Sequence, residues 1–404
     1  VFLDASGVAT INVNDVNDGS SDACGVDSAW VDITSFDCSD IGNNTVTVSV
    51  RDSSGNIGVG TATITVVDTV KPVVSTRNLT VYLNTSGAVT IGTADVNNGS
   101  YDGCGVDSVW LDKVSFDCSD RGDNAVTLSV RDSSGNIGTG TATVTVLDTV
   151  KPVVITRNLN VYLDANGTAA ITAGQIDSNS SDNCGVDSIW LDKNSFDCSN
   201  RGANTVTLSV RDSSGNIGTG TATVTVSDTI KPTVSTQAVT VYLDANGAAS
   251  ITADQVDDGS TDNCGVDSIW LDRNSFNCSN RGTNTVTLSV RDSSGNIGTG
   301  TATVTVSDTI KPTVSTRAVT VYLDANGIAS ITADQVNDGS TDDCAIDSIW
   351  LDKTAFSCSN TGANTVTLSV RDSSGNIGTG TATVAVADTI KPTVSTQAVT
   401  VYLD

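Results

Sequence analysis

Apolar and polar residues alternate along several short segments of the chain, and each such segment predicts a β-strand. In the run from position 284 to 292, Val286, Leu288 and Val290 fall on one face. The run from position 239 to 243 alternates in the same way, with threonine and tyrosine between its aliphatic residues. No window shows the 3.6-residue apolar period of an amphipathic helix. The pattern therefore predicts an all-β fold built from short strands.

Turn-forming residues separate these strands. The segment Asp244 to Gly247 is rich in residues that accept turn geometry, so it predicts a hairpin leading to a strand that carries Ile251 and Ala253. A polar loop then precedes a strand at 268–272, and the turn at 293–296 precedes the last strand. Short strands with turns about every ten residues favour an antiparallel β-sandwich.

The same unit is repeated along the chain every 80 residues. The eleven residues from Asp262 to Asp272 have counterparts at 22–32, 102–112, 182–192 and 342–352. A strict period of this length in 404 residues predicts a row of small domains, each with its own core. The predicted domains are 1–68, which lacks the start of its first strand, then 69–148, 149–228, 229–308 and 309–388, followed by 389–404 as the first strand of another repeat.

The charge is strongly negative and comes from one residue type. All 46 acidic residues are Asp, against 20 Lys and Arg and no His, which gives a net charge of -26. An acid pool made only of Asp favours turns, caps and cation-binding loops. Such a surface repels phosphate, so nucleic acid is not an expected partner.

No stretch approaches the roughly 20 apolar residues of a membrane span, so membrane insertion is not expected either. The chain starts within a repeat and has no Met, which suggests a window from a longer array.

Four motifs recur in a fixed order and resemble the hyalin-type repeat, an immunoglobulin-like module. They are Asp-Asn-Cys-Gly at 262–265, Ser-Phe-Asp-Cys-Ser at 195–199, Asn-Thr-Val-Thr-Leu-Ser-Val at 204–210 and Asp-Ser-Ser-Gly-Asn at 212–216. Their wording is similar to tandem arrays in giant surface adhesins of gliding Bacteroidota, which are exported through the type IX secretion route. The resemblance covers all five copies and implies a tandem array of immunoglobulin-like β-sandwich domains in an elongated filament. The hyalin-type repeat usually has a second cysteine pair on its last two strands, where this chain has residues such as Leu208 and Gly220.

The cysteines fall into five pairs with one fixed spacing. An even count at a constant spacing, in a chain of small cores, favours disulfides and an oxidising location. One bond is therefore predicted inside each repeat, where it would contribute about 3 kcal/mol. Reduced thiols in a cytosolic repeat protein are the alternative, whereas zinc is disfavoured because the chain has no His and no Cys-x-x-Cys. The pairs, each 14 positions apart, are Cys24 and Cys38, Cys104 and Cys118, Cys184 and Cys198, Cys264 and Cys278, and Cys344 and Cys358.

Clustered aspartates are candidate ligands for a calcium site. Short acids crowded into one loop repel one another unless a hard cation lies among them, and Ca²⁺ prefers six to eight oxygen ligands. The alternative is that these residues cap turns and that their charge is solvated, because their spacing matches no EF-hand loop. The candidate Ca²⁺ ligands are Asp68, Asp102, Asp107, Asp132, Asp148, Asp177, Asp182, Asp187, Asp212, Asp228, Asp257, Asp262, Asp267, Asp292, Asp308, Asp338, Asp342, Asp347 and Asp372.

Topology predicts where such a site would form. If each repeat leaves from the end opposite to the one at which it starts, the acidic loop and the turn at 292–296 both return to the start of the repeat. They would then surround the connection at 228–232. A cation held there by Asp228, Asp257, Asp262 and Asp292 would stiffen the connection, as it does between cadherin-like domains.

These features together predict a structural role outside the cell. The expected function is the stalk of a cell-surface adhesin filament involved in adhesion and gliding motility, with neighbouring repeats of the same chain as its main partners. Surface polysaccharide or motility machinery would be contacted through other regions. One alternative is a module that binds polysaccharide at each repeat through residues such as Trp190, and another is an accessory region of a secreted enzyme. No enzyme is expected from this segment itself, because no His exists and no nucleophile recurs with a base.

Overall fold

A computed structural model describes residues 1–401 as repeated β-sandwich units. The chain divides into two compact units. The first comprises residues 1–159, 171–194 and 204–224, and the second comprises 160–170, 195–203 and the chain from 225 onward. The second repeat lies wholly in the first unit and the fourth repeat wholly in the second. These two repeats therefore represent the fold of each unit.

Within residues 1–401, the second to fifth repeats contribute the same succession of six strands, and the first repeat contributes the last five of them. In the first repeat they are Val8–Thr10 (β1), Val26–Val31 (β2), Ser35–Asp37 (β3), Gly42–Asp52 (β4) and Ile57–Val66 (β5). The second has Leu79–Tyr82 (β6), Ala88–Thr90 (β7), Val106–Leu111 (β8), Ser115–Asp117 (β9), Gly122–Asp132 (β10) and Ile137–Leu147 (β11). The third has Leu159–Tyr162 (β12), Thr168–Ala170 (β13), Val186–Leu191 (β14), Ser195–Asp197 (β15), Gly202–Asp212 (β16) and Ile217–Ser227 (β17). The fourth has Val239–Tyr242 (β18), Ala248–Ser250 (β19), Val266–Leu271 (β20), Ser275–Asn277 (β21), Gly282–Asp292 (β22) and Ile297–Ser307 (β23). The fifth has Val319–Tyr322 (β24), Ile328–Ser330 (β25), Ile346–Leu351 (β26), Ala355–Ser357 (β27), Gly362–Asp372 (β28) and Ile377–Ala387 (β29).

In the part of the chain that the structure describes, helices are confined to single turns. Four α-helical turns are Thr93–Val96 (α1), Ala173–Ile176 (α2), Ala253–Val256 (α3) and Ala333–Val336 (α4). The 3-10 turns are Val13–Asp15, Cys38–Asp40, Cys118–Asp120, Cys198–Asn200, Cys278–Asn280 and Cys358–Asn360. Within residues 1–401, no helix has the length and hydrophobicity needed to cross a lipid bilayer.

Two sheets form each sandwich. In the fourth repeat, a four-stranded sheet has the order β18-β23-β22-β20, and β19 pairs with β21 in a second, two-stranded sheet. The first strand of the repeat runs parallel to the last, and the other pairs are antiparallel. The second repeat has the same arrangement, with the order β6-β11-β10-β8 and a pair of β7 and β9. The predicted all-β sandwich of tandem immunoglobulin-like units is confirmed.

The core lies between the two sheets, where the alternation places it. Val286, Leu288 and Val290 of β22 are fully buried, and Phe276 of β21 packs in the same cluster from the small sheet. The threonines of β23 that alternate with buried residues point outward and are exposed. The predicted buried face of β22 is therefore confirmed.

The predicted hairpin after β18 is wrong. β18 pairs with β23 and β19 with β21, so the turn at Asp244 connects strands of different sheets. Ala253, expected in a strand, begins the helical turn α3, whose start is capped because the Gln255 side chain accepts a hydrogen bond from the Thr252 N–H (2.9 Å). A single helical turn is too short to leave a 3.6-residue apolar period in the sequence.

The connection between repeats packs on the next repeat. A Cβ at Gly298 of β23 would lie 2.3 Å from the carbonyl oxygen of Pro232, so only glycine permits this close approach. Thr236 Oγ1 then donates a hydrogen bond to the carbonyl oxygen of Thr301 (2.8 Å). The segment after Asp228 is therefore seated on the repeat that it opens, which fixes the position of Asp228 relative to that repeat.

Candidate functional site at the junctions between repeats

Disulfide bonds join successive repeats. Each bond links cysteines 66 positions apart, with Cα atoms separated by 5.2–5.4 Å. We call the region around each bond a junction and number the junctions 1 to 4 along the chain. The bonds are Cys38–Cys104 (junction 1), Cys118–Cys184 (junction 2), Cys198–Cys264 (junction 3) and Cys278–Cys344 (junction 4). Within residues 1–401, Cys24 and Cys358 are exposed and have no disulfide partner.

The predicted pairing inside each repeat is therefore wrong. A bond between Cys264 and Cys278 needs Cα atoms about 5.5 Å apart, which requires the chain between them to double back. Instead β20 extends for six residues, or about 20 Å, and β21 pairs with β19 rather than returning along β20. The two cysteines of one repeat consequently face different neighbours. The same correction applies to the other predicted pairs, Cys24 with Cys38, Cys104 with Cys118, Cys184 with Cys198, and Cys344 with Cys358.

A glycine turn makes room for the disulfide at junction 3. Gly167 has a positive φ of +73°, and a Cβ there would lie 2.7 Å from Cys198 Sγ and 2.8 Å from the carbonyl oxygen of Asn263. The side-chain amide of Asn263 donates a hydrogen bond to the carbonyl oxygen of Asp164 in the same turn (3.0 Å). The turn of one repeat and the cysteine loop of the next are therefore in direct contact beside the bond.

Three carboxylates converge at junction 3. Asp228 follows the last strand of the third repeat, Asp262 precedes Cys264, and Asp292 ends β22. One oxygen from each of the three lies within 4.8 Å of the others. Asp228 and Asp292 are buried, with exposed fractions of 7% and 1%. Three of the four residues that the topology argument placed around this connection therefore lie together. The fourth, Asp257, is not part of the cluster.

Most of these carboxylate oxygens are held by hydrogen bonds. Asp292 Oδ1 accepts the N–H groups of Ser294 and Asn296, both at 2.8 Å. Asp228 Oδ2 accepts a hydrogen bond from Ser294 Oγ (2.9 Å). Asp262 Oδ2 accepts the N–H of Cys264 (2.8 Å), but its Oδ1 is buried without a hydrogen-bond partner in the described part of the chain. The cluster therefore contains one buried carboxylate oxygen that no donor satisfies in the described residues, on an aspartate close to two other acids.

The environment disfavours the charged form of Asp262. Burial raises the pKa of Asp262, and the neighbouring carboxylates of Asp292 and Asp228 raise it further. The pKa values of Asp102, Asp182 and Asp342 are raised in the same way, first by burial and then by nearby carboxylates. In four repeats, the carboxylate at this position is therefore stabilised by binding either a proton or a cation.

Junctions 2 to 4 contain a further chain of contacts that the sequence did not reveal. At junction 3, an Arg201 guanidinium nitrogen donates to Ser294 Oγ (2.9 Å), which in turn donates to Asp228. Arg121 and Arg281 make the equivalent contacts with Ser214 and Ser374. A positive side chain from one repeat is therefore connected to the acidic cluster through the next repeat.

Junction 1 lacks these contacts. Ile41 occupies the arginine position and Gly103 the position of Asn263. Asp68 is only 6% exposed, and its Oδ2 has no hydrogen-bond partner within residues 1–401. Asp102 Oδ2 is likewise buried and unpartnered in that range. Junction 1 consequently has the least compensation for its buried negative charge.

The structure brings together some of the candidate ligands and separates others. Each cluster contains one aspartate from the connection between repeats and at least one from the cysteine loop. At junctions 2 and 3 it also contains the aspartate that ends the long strand β16 or β22. Asp132 and Asp372 lie close enough to raise the pKa values of Asp102 and Asp342. Asp343, which was not among the candidates, joins junction 4. The clusters are Asp68 with Asp102 and the disulfide-bonded Cys104, Asp148 with Asp182 and Asp212, Asp228 with Asp262 and Asp292, and Asp308 with Asp342 and Asp343; Asp343 also lies beside the disulfide-bonded Cys278 and Cys344.

Besides Asp132 and Asp372, seven candidates lie outside these clusters. Asp267 forms an exposed ion pair with Arg291 (2.7 Å), and the hydrogen bond from that arginine lowers the pKa of Asp267. Asp107, Asp187 and Asp347 pair with Arg131, Arg211 and Arg371 in the same way. Asp177 and Asp257 accept hydrogen bonds from the N–H groups of Ser180 and Ser260, both at 3.1 Å, and so cap turns. Asp338 lies 3.8 Å from Arg317 at the surface.

The donor set at the junctions suits a hard cation. Carboxylate and amide oxygens are the ligands that Ca²⁺ prefers, and water molecules complete its shell. Asp262 Oδ1 and Asn263 Oδ1 are both buried without hydrogen-bond donors in the described residues. A cation would satisfy such oxygens and offset the repulsion among the acids. With neither His nor Cys-x-x-Cys in the chain, the chemistry favours Ca²⁺ over Zn²⁺.

Comparison with known proteins gives sequence relatives of one kind. No family model matches the chain. Hyalin from Strongylocentrotus purpuratus is 31% identical over 295 residues, which cover 68% of this chain and 24% of that hyalin. Hyalin from Lytechinus variegatus is 30% identical over 304 residues, which cover 68% of this chain and 55% of that protein. The chain thus spans about a quarter and about half of these relatives. The similarity supports the hyalin-type repeat that the motifs indicate.

Comparison with solved structures gives matches of low identity and low TM-score. The protocadherin GammaB4 extracellular domain is 14% identical, with a TM-score of 0.28, over 95% of this chain and 77% of that chain. The human desmocollin-1 ectodomain is 15% identical, with a TM-score of 0.21, over 90% and 88% of the two chains. Sidekick-1 immunoglobulin domains 1–5 are 9% identical, with a TM-score of 0.28, over 88% of each chain.

Proposed function

We propose that these repeats form a structural stalk of an extracellular adhesin, in which one disulfide and one Ca²⁺ ion hold each junction. The observation that carries the proposal is the coincidence, at junction after junction, of a bond between two repeats with a cluster of buried acids. Disulfides persist in oxidising compartments, which fits an extracellular location. The similarity to hyalin supports a role in an extracellular, adhesion-type assembly.

At junction 3, Asp228, Asp262 and Asp292 would hold the ion, with Asn263 beside them. A bound Ca²⁺ supplies positive charge and satisfies oxygens that lack donors. The residues themselves do the positioning, because hydrogen bonds from Ser294 and Asn296 fix two of the three carboxylates. Since these residues come from two repeats, ion binding would couple their orientation.

The finer role follows from the resemblance to gliding adhesins. In such a protein the stalk would stand on the cell surface, carry an adhesive tip and transmit force from the motility machinery. Partners other than neighbouring repeats would then be contacted by other parts of the protein.

A calorimetric titration of the calcium-free chain with CaCl₂ tests the ion. We expect saturable binding with a stoichiometry of four ions per chain, because acids cluster at each of the four junctions. A chain carrying Asp262→Asn should bind three. Absence of binding in the millimolar range, or a stoichiometry that Asp262→Asn leaves unchanged, would remove calcium from the proposal.

A glycan array with the same chain separates the stalk from its rival. Trp270 is 41% exposed on the edge strand β20, and the equivalent tryptophans have similar exposure, which is the observation that favours a polysaccharide-binding module. The stalk predicts no glycan binding by this segment. Binding that is abolished when Trp270 and its equivalents are replaced by alanine would favour the binding module instead.

A further inference from the structure

The pairing of the cysteines creates a short covalent route through the chain. Within the fourth repeat, Cys264 is bonded back to Cys198 and Cys278 is bonded forward to Cys344. Tension that arrives at Cys264 therefore leaves at Cys278, after only 14 positions of backbone. The second and third repeats have the same arrangement. The route is a property of the bonds alone and does not depend on how the repeats are oriented.

We propose that the junction disulfides make this segment an inextensible tether, in which load follows the short route and bypasses most of each repeat. The proposal deepens the stalk function, since it names the way in which the stalk would carry force. Between Cys198 and Cys264 the bypassed part contains β16, β17, the connection, β18, β19 and α3. Only β20 and β21 lie on the load-bearing route through the fourth repeat.

Lengths show how strongly the bonds limit extension. A fully extended chain spans at most about 3.5 Å per residue, so 80 residues without crosslinks would reach about 280 Å. With the disulfides intact, each repeat adds about 50 Å of backbone and one bond whose Cα atoms are 5.2–5.4 Å apart. The maximum length per repeat is therefore about one fifth of the uncrosslinked value, even if every strand comes apart.

The bypass also separates load from the residues that stabilise the fold. The fully buried side chains Val286, Leu288 and Val290 belong to β22, which lies in the loop closed by Cys278–Cys344. Tension on β20 pulls against its five register pairs with β22, but it cannot draw β22 and β23 out as a continuous strand. Local failure of one repeat can consequently extend the route between Cys264 and Cys278 to no more than about 50 Å.

Single-molecule extension of the oxidised 404-residue chain, held by its two ends, tests the proposal directly. The measurement is made in concentrated urea, so that every segment freed from a crosslink is unfolded. We expect a contour length of about 500 Å before reduction and about 1,400 Å afterwards. Dithiothreitol, which is oxidised as it reduces each disulfide to two thiols, should lengthen the tether in four steps of about 225 Å.

A matched variant assigns one step to one junction. The chain with Cys198→Ser and Cys264→Ser should begin about 225 Å longer and show three steps instead of four. Steps of about 45 Å would indicate bonds between cysteines 14 positions apart and would overturn the proposal. A contour length of about 1,400 Å before any reductant would overturn it as well. Because contour length in urea does not depend on calcium, failure here is distinguishable from failure of the calcium site.

Discussion

Replacing Cys198 and Cys264 together with serine is expected to lower the free energy of unfolding at junction 3 by about 4 kcal/mol. The bond closes a loop of 66 positions, and a loop of that length strongly restricts the unfolded chain. The value exceeds that expected for a 14-residue loop, because the entropy lost on closure grows with loop length. It is also a large part of the stability of a domain of this size.

The measurement needs a signal from one repeat, since the unfolding of a multidomain chain is not a single two-state transition. Each repeat has one tryptophan, so a chain that keeps Trp270 and has phenylalanine at the other four positions reports on the fourth repeat. Urea denaturation followed by Trp270 fluorescence gives the change. Cys24→Ser is the matched control, because Cys24 is exposed and unpaired in the described residues. A loss that is equal in both variants, or no loss at Cys198 and Cys264, would contradict the junction bond.

Asp262→Asn is expected to stabilise the chain in the absence of calcium and to destabilise it, relative to the parent, in the presence of calcium. In EGTA at pH 7 the variant should be more stable than the parent by about 1 kcal/mol, because it removes a partly buried charge that lies close to two other acids. With Ca²⁺ at 100 times its dissociation constant, the parent gains about 2.7 kcal/mol per site, and the variant should lose most of that gain. The variant is then the less stable of the two. Thermal unfolding of the single-tryptophan chain measures both conditions.

The pKa of Asp262 fixes the direction in which pH changes the stability of the chain in EGTA. Because the pKa of Asp262 is raised in the folded state, the folded state binds its proton more tightly than the unfolded state does. Its contribution to stability is complete below the ordinary Asp pKa of about 3.9 and is lost as pH rises through the raised value. The advantage of Asp262→Asn should therefore be absent near pH 4 and grow towards pH 7.

Asp267→Asn is the matched control for both experiments. Asp267 is exposed, and its pKa is lowered by the hydrogen bond from Arg291, so the sign is opposite to that of Asp262. Its contribution is present above the ordinary Asp pKa and is lost as pH falls through the lowered value. The control should keep the full calcium response. An Asp262→Asn chain that responds to calcium like the parent would contradict the assignment of that carboxylate to the site.

The sequence predicted the sheets better than the crosslinks. Alternation placed Val286, Leu288 and Val290 in the core because period-2 burial depends only on local order. The disulfides depend on which ends of neighbouring repeats meet. In a chain with a period of 80, each internal cysteine has one cysteine 14 positions away and another 66 positions away, so spacing alone does not identify its partner. The length of β20 was the available signal, since an extended strand separates the two cysteines of its own repeat.

The topology argument predicted members of the acidic site correctly. Grouping aspartates by their closeness in sequence did not. Asp228, Asp262 and Asp292 converge because the connection, the cysteine loop and the long hairpin share one end of the repeat. Asp267 was grouped with them because it is five positions from Asp262, but it begins the exposed side of a strand and pairs across to Arg291. Arg201 was missed because its contact is 93 positions away in the next repeat.

Peptide mapping of the oxidised, thiol-blocked chain after trypsin digestion tests the central claim that disulfides join successive repeats. Cleavage at Lys193, Arg201, Arg211, Arg273 and Arg281, with no cleavage before Pro232, places Cys198 on 194–201, Cys264 on 212–273 and Cys278 on 274–281. The account predicts a crosslinked species that contains 194–201 and 212–273. A species that joins 212–273 to 274–281 would contradict it.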